Sequence, residues 1–361
     1  MNPIIDLLYK LDPFSTKLEI SIQDIPQLYV PLEDLTGKKV ESIVLEDFAK
    51  PKAGSFYALI GDSGSGKSSV LNFLLSTFSL AKGGRTLAIK LNEFPSEVNE
   101  PKDLLTHIIG KVYTSTSEFN KLTPGEKKEA QRLLSSEYAF TSSEREKASM
   151  GLKAWFTMIP ALLGLEGSVG YELEQQSGAT YKTESTVDDM ISFTNQLVEI
   201  IRSKGKMDHV LIMMDETDKI TKPGEYELSV SNAITFFGSV LPVLSKTNCS
   251  YLFVMNSQYD NEEFRKRVLE QYIDKVISIP RIPDIAGINR IIEKRTKAVD
   301  SKVELRAIWE EKALSALHDY YKEKSLRHFI TACKFAVDKA WRNNSDSIME
   351  VHTKDAILEL K

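Results

Sequence analysis

Two of the 361 residues are cysteine and five are histidine. Cys249 and Cys333 have neither metal-ligand spacing nor neighbouring histidine pairs, which excludes a disulfide framework and a zinc site and makes both read as reduced, structural thiols. Surplus positive charge is absent as well. Against 46 Lys and Arg stand 51 Asp and Glu, a net charge of -5, so the chain as a whole carries no basic footprint for nucleic acid. Residues 281–361 come nearest, with 16 Lys and Arg against 13 Asp and Glu, an excess too mild to imply tracking along phosphates. No run reaches the roughly 18 apolar residues a membrane span needs, and the first ten residues carry Asp6 but no basic leader. The expectation is a cytoplasmic protein with no membrane partner.

With 42% hydrophobic and 27% charged residues, the composition is ordinary for a globular chain long enough for one large domain or two modest ones. Residues 1–50 are broken by Pro3, Pro13, Pro26 and Pro31 and read as an irregular N-terminal arm with one helix near Val40–Phe48. At Ser55 the pattern changes. Phe56–Ile60 is a short apolar run that ends at a glycine, and Ser68–Leu75 continues with helical spacing, which predicts strand, loop, helix. Further apolar runs predict strands at Thr86–Leu91, His209–Met214, Tyr251–Met255 and Lys275–Ile279. Runs without polar alternation suit a five-stranded, mainly parallel α/β sheet covered on both faces.

Over a hundred residues separate the second strand from the third, where a compact α/β unit needs a few tens, so a core of 51–282 carries an inserted region at about 114–187. The insert contains a Lys/Glu-rich helical run, Pro124–Glu137, and an apolar segment with Trp155, Phe156, Met158, Leu162 and Leu163. That segment reads either as a partner- or subunit-binding surface or as local core. Lys153, Pro160, Gly164 and Glu166 interrupt it and argue against a membrane role. After Pro283 the spacing of apolar residues predicts helices at Ile285–Ala298, Trp309–Tyr321, Leu326–Asn343 and His352–Leu360, a helical domain over 283–361.

Between the first strand and its helix lies Gly61-Asp62-Ser63-Gly64-Ser65-Gly66-Lys67-Ser68, followed by Ser69. A glycine-rich loop aimed at a helix N-terminus presents consecutive backbone amides to an anion, and glycine is required where the backbone turns tightly around phosphate oxygens. In such a P-loop Lys67 reaches the β- and γ-phosphates and the Ser68 hydroxyl coordinates Mg²⁺. The apolar strand Val210–Met214 then delivers Asp215 and Glu216 together at its C-terminal end, where open α/β sheets bind ligands. Asp215 suits the Mg²⁺ shell and Glu216 the polarisation of an attacking water. No Asp-x-x-Gly switch and no Asn-Lys-x-Asp guanine-reading sequence accompanies these acids, so ATP is the expected nucleotide. Asn256, at the end of the fourth strand, reads either as a group that touches the γ-phosphate or orients water, or as a turn residue.

This order of P-loop, acidic strand end, polar strand end and helical domain resembles the AAA+ ATPases, within them the initiator and transposition-regulator branch and related bacterial defence ATPases. The resemblance covers about residues 50–361 outside the insert. It implies that Asn256 acts as sensor 1 and that Ser325-Leu326-Arg327 opens the lid helix carrying sensor 2, with Arg327 on the γ-phosphate. It also implies a site completed in trans by an arginine of the next subunit, for which Arg265 and Arg267 are candidates, and hence a homo-oligomer.

These implications lead to an ATP-hydrolysing enzyme that oligomerises and drives or regulates a partner effector, in antiviral defence or DNA transactions. A nucleotide-dependent sensor or scaffold with little intrinsic turnover is a different class, and slow turnover without a partner is its signature. A small-molecule kinase is a third, but it needs an acceptor pocket and usually lacks an adjacent Asp-Glu pair.

Overall fold

Strands that are apolar throughout have to be covered on both faces, and the strands at the centre of this fold are buried along their whole length. The computed structural model describes residues 2–16, 23–48, 54–81, 85–91, 101–118, 186–215, 217 and 226–360. Its five strands are β1 (Phe56–Gly61), β2 (Thr86–Leu91), β3 (His209–Met214), β4 (Ser250–Asn256) and β5 (Lys275–Ser278). They form one parallel sheet in the order β2-β3-β4-β1-β5. All five coincide with the runs read from sequence to within a residue or two.

Register places the strand ends that matter. Gly61 at the end of β1 pairs with Asn256 at the end of β4, and Met214 at the end of β3 pairs with Phe253 of β4. The chain leaves β1 through α5 (Lys67–Leu80), crosses to the sheet edge at β2 and later returns to β4 beside β1. A sheet whose strand order reverses in this way leaves a crevice at the carboxyl ends of its strands.

Residues 1–97, 207–238 and 249–361 form one compact unit, and residues 98–206 with 239–248 form a second. In the first, one apolar core joins the arm, one face of the sheet and the C-terminal helices. Among its described residues the arm holds four helices, α1 (Pro3–Leu11), α2 (Ile25–Leu28), α3 (Leu32–Thr36) and α4 (Glu41–Phe48), not the irregular segment with one helix that its prolines suggest. Pro3 and Pro26 sit in first turns, where the missing amide costs nothing, and the Asn2 side chain accepts from the Ile4 amide at 2.9 Å. Tyr9 of α1 stacks on Trp341 at 4.0 Å, and Phe14 meets Trp309 edge to face at 5.7 Å.

The second unit packs α6 (Pro101–Glu118) on α7 (Val187–Gly205). Leu104, Ile108, Leu197 and Val198 are buried there, and Thr186 with Asp189 forms a capping box at the start of α7. The helix α6 runs through Thr114 to Glu118, so backbone structure continues past the expected start of the insert. The apolar segment around Trp155 and the run Pro124–Glu137 lie outside the described residues.

The helix α8 (Tyr226–Leu244) precedes β4. The C-terminal helices are α9 (Ile285–Lys297), α10 (Leu305–Ile308), α11 (Glu311–Glu323), α12 (Leu326–Arg342) and α13 (Glu350–Glu359). Trp309, expected to open a helix, instead bridges in parallel to Ile348 and donates its indole N–H to Thr296 Oγ1 at 3.3 Å. A fully buried indole needs such a partner, and supplying it ends the short α10 before α11 begins.

Candidate functional site

The loop after β1 turns through two residues that only glycine adopts readily, Gly64 at φ 73° and Gly66 at φ 100°. Gly66 is the N-cap of α5 and no side chain caps the helix, so its first-turn amides face the loop without an intrahelical acceptor. Lys67 folds back over the loop and donates to the carbonyls of Gly61 at 2.6 Å and Asp62 at 2.8 Å. The Ser65 hydroxyl is buried without a hydrogen-bond partner among the described residues. A concave loop of amides, a lysine held over it and an orphaned hydroxyl fit a phosphate chain.

Asp215 follows β3 directly, and the amide of Asp215 donates to the carbonyl of Leu91 at 3.2 Å. Its side chain is only 4% exposed. The Ser68 hydroxyl donates to Asp215 Oδ1 at 3.1 Å, and Lys90 Nζ lies 3.1 Å from Asp215 Oδ2. Lys90, near the end of β2, is itself 8% exposed and also donates to Asn72 Oδ1 on α5 at 2.7 Å. A buried carboxylate is tolerated only when its charge is countered and its lone pairs are used, and these partners do both. Nothing in the sequence singled out Lys90. Ser68 and Asp215 are hard oxygen donors side by side, a fit for a cation such as Mg²⁺ that takes its other ligands from phosphates and water. Among the described residues, no group of three or more His, Cys, Asp or Glu side chains converges to hold a metal unaided.

The start of α12 approaches the same loop. The Arg327 amide donates to the Gly64 carbonyl at 3.1 Å. A Cβ on Gly64 would lie 2.6 Å from Ser325 Oγ and 3.2 Å from Arg327 Cβ, so this glycine is required by close approach as well as by φ. Leu326 sits 3.3 Å from the position of a Cβ on Gly66. Ser325 caps α12, with its hydroxyl 2.8 Å from His328 Nδ1. Arg281 closes the preceding helix from outside, donating to the carbonyls of Tyr321 at 2.5 Å, Lys322 at 2.6 Å and Lys324 at 3.2 Å, with its guanidinium 5.1 Å from the Tyr321 ring. Burial raises the Tyr321 hydroxyl pKa, opposed by the Ile282 amide it accepts from and by Arg281.

The sequence-derived residues fall into three groups. Gly61 to Ser68, Asp215 and the backbone of Arg327 are brought together. Asn256 is adjacent, but its Oδ1 caps the short turn Ser257–Tyr259 by accepting from the Gln258 amide at 3.2 Å, while Ser257 donates to Asp62. Arg265 and Arg267 lie in a π-helical turn, Arg265–Leu269, paired with their own chain's Asp260 at 2.5 Å and Glu263 at 3.4 Å. Both are exposed. Glu216 lies outside the described residues. A separate cleft of about 410 Å³ opens between the arm and α9, lined by Tyr29, Pro31, Arg290 and Lys294 among others, and no P-loop residue lines it.

No protein-family model and no curated protein matches the sequence. Among solved structures, the fold is similar to that of the ORC1 protein of Aeropyrum pernix in complex with DNA, with a TM-score of 0.50 and 14% identity over 95% of this chain and 68% of that one. It is similar also to the ORC2 protein of the same organism in its ADP form, with a TM-score of 0.50 and 16% identity over 96% of this chain and 72% of that one. At these identities the likeness is one of fold alone.

Proposed function

We propose that this chain binds ATP with Mg²⁺, hydrolyses it, and works as an oligomer that drives or regulates a partner effector in DNA transactions or antiviral defence. The observation that carries the reading is the convergence of the glycine loop, the Ser68–Asp215 oxygen pair and the N-terminus of the lid helix α12 on one spot. In this reading Lys67 exchanges the carbonyls of Gly61 and Asp62 for the β- and γ-phosphates. Ser68 and Asp215 would hold Mg²⁺, which when bound would supply charge neutralisation at the phosphates. Glu216, next along the chain, polarises the attacking water, Asn256 helps orient it, and Arg327 couples the γ-phosphate to the lid. Arg265 or Arg267 completes the site of a neighbouring subunit, exchanging an intrachain carboxylate for phosphate.

A sensor or scaffold with little turnover is the second reading, and the site favours it in one respect. With Asp215 already countered by Lys90, the resting site is stable before any nucleotide arrives. The similarity in fold to a protein solved in complex with DNA makes duplex DNA the first partner to try.

The deciding experiment is ATP turnover against protein concentration, with oligomer mass recorded alongside, with and without duplex DNA. Specific activity that climbs with assembly is expected for a site completed in trans, whereas turnover independent of concentration removes that part of the proposal. Lys67→Ala is expected to abolish ATP binding and Glu216→Gln to keep ATP bound with hydrolysis lost. Tight ATP binding by the first variant or normal turnover by the second overturns the site assignment.

A further inference from the structure

The P-loop lysine and the lid arginine have roles by the resemblance above, but Lys90 does not. It stands in β2 opposite Met213 of β3, one residue from the strand end, and is bent inward onto Asp215 instead of outward to water. Its ammonium is 3.1 Å from Asp215 Oδ2 and 2.7 Å from Asn72 Oδ1. Asn72 lies one helical turn beyond Ser68, so α5 presents two polar groups to the pair, the serine on Asp215 Oδ1 and the asparagine on the lysine. Both ends of this ion pair are more than nine-tenths buried. An ammonium so placed is a fixed counter-ion: it holds the carboxylate in place and cancels its charge where nucleotide phosphates approach.

We propose that Lys90 is a positioning residue for the nucleotide site, one that shields phosphate from Asp215 so that nucleotide binding survives removal of the divalent cation. The inference rests on the proposed nucleotide-binding function. Without Lys90, the buried carboxylate loses this ammonium where the phosphates approach, and binding leans more heavily on a metal ion between them. A purely structural lysine has no such effect, because loss of packing weakens metal-bound and metal-free binding alike.

The test measures ADP affinity by calorimetry on the full chain, once with Mg²⁺ and once with EDTA, for wild type, Lys90→Met and the double variant Lys90→Met with Asp215→Asn. In wild type the two affinities are expected to lie close together. In Lys90→Met the ratio between them should widen by about tenfold or more, from the loss of metal-free binding, and the double variant should narrow it again, because the repelling charge is gone. An unchanged ratio in folded Lys90→Met overturns the inference. If Lys90→Met does not fold, the double variant, which buries no unpaired charge, decides. Metal-free affinity within about threefold of wild type upholds the shielding role, and loss of metal-free affinity overturns it. Wild-type protein that binds ADP in neither condition sinks the nucleotide reading itself, an outcome distinct from binding with an unchanged ratio.

Discussion

The two halves of the candidate site are built from different materials. The P-loop is backbone: two glycines with positive φ, a helix start without a side-chain cap, and a lysine that donates to carbonyls of its own loop. The acidic half is side chain: a carboxylate, an ammonium, a hydroxyl and an amide brought from the end of β3, β2 and α5, with the carboxylate and the ammonium sealed from water. A backbone cradle keeps its shape when one side chain is lost. A buried charge pair does not, because each member is tolerable only in the presence of the other.

The largest effect expected from this contrast is on stability. Asp215→Ala leaves the Lys90 ammonium buried and uncompensated, a loss of about 3–5 kcal/mol. Lys67→Ala removes hydrogen bonds to two carbonyls that water can replace, an expected loss on the order of 1 kcal/mol, although it is expected to abolish nucleotide binding. Urea unfolding of the two variants measures the difference directly. Equal losses would break the comparison and show that the acidic half is not sealed in solution.

The same contrast explains what the sequence disclosed. Phosphate binding by backbone restricts residue types at fixed spacing, so Gly61 to Ser68 is legible from one chain, and an apolar run that stops at acids marks Asp215 just as clearly. Lys90 was not legible. A lysine near the end of an edge strand ordinarily guards that edge in water, and only the pairing of β2 with β3 turns this one onto Asp215. The arm was misread for a related reason. Helices of four or five residues such as α2 and α3 are too short to display a period, and their apolar residues acquire a face only against α9 and α5. The helix α1 carried a readable signal in Asn2 followed by Pro3, an N-cap and a first-turn proline. Trp309 was placed in a helix by spacing alone, whereas its bridge to Ile348 is a tertiary contact.

The next two predictions sharpen the backbone side of the comparison. Gly64→Ala forces a Cβ into the left-handed region and to within 2.6 Å of Ser325 Oγ, and is expected to cost about 1–2 kcal/mol from conformation alone. A thermal shift near zero would mean that Gly64 neither holds its left-handed φ nor meets α12 in solution. Ser325→Ala removes the N-cap of α12, for a loss of about 1 kcal/mol, and the Arg327 amide bond to Gly64 should loosen with it, visible as faster amide exchange at Arg327.

A stability difference between the two halves is readable only at a pH where the rest of the molecule is constant, and His352 sets that limit. It lies in the first turn of α13, is 1% exposed, and its Nδ1 accepts the Met349 amide at 3.1 Å. Burial lowers its pKa from the usual 6.5, outweighing the upward pull of Asp355 and Glu310. The folded state therefore takes up this proton later than the unfolded chain does. The contribution to stability is complete above about pH 6.5 and is lost as pH falls from there through the lower folded-state value. Protonation of Nδ1 also removes the acceptor for Met349. Wild-type protein should unfold at lower urea at pH 5.5 than at pH 7.5, and His352→Asn should flatten that dependence. If the variant keeps the full wild-type slope, the acid sensitivity arises elsewhere, and the Asp215 and Lys67 variants must then be compared above pH 7.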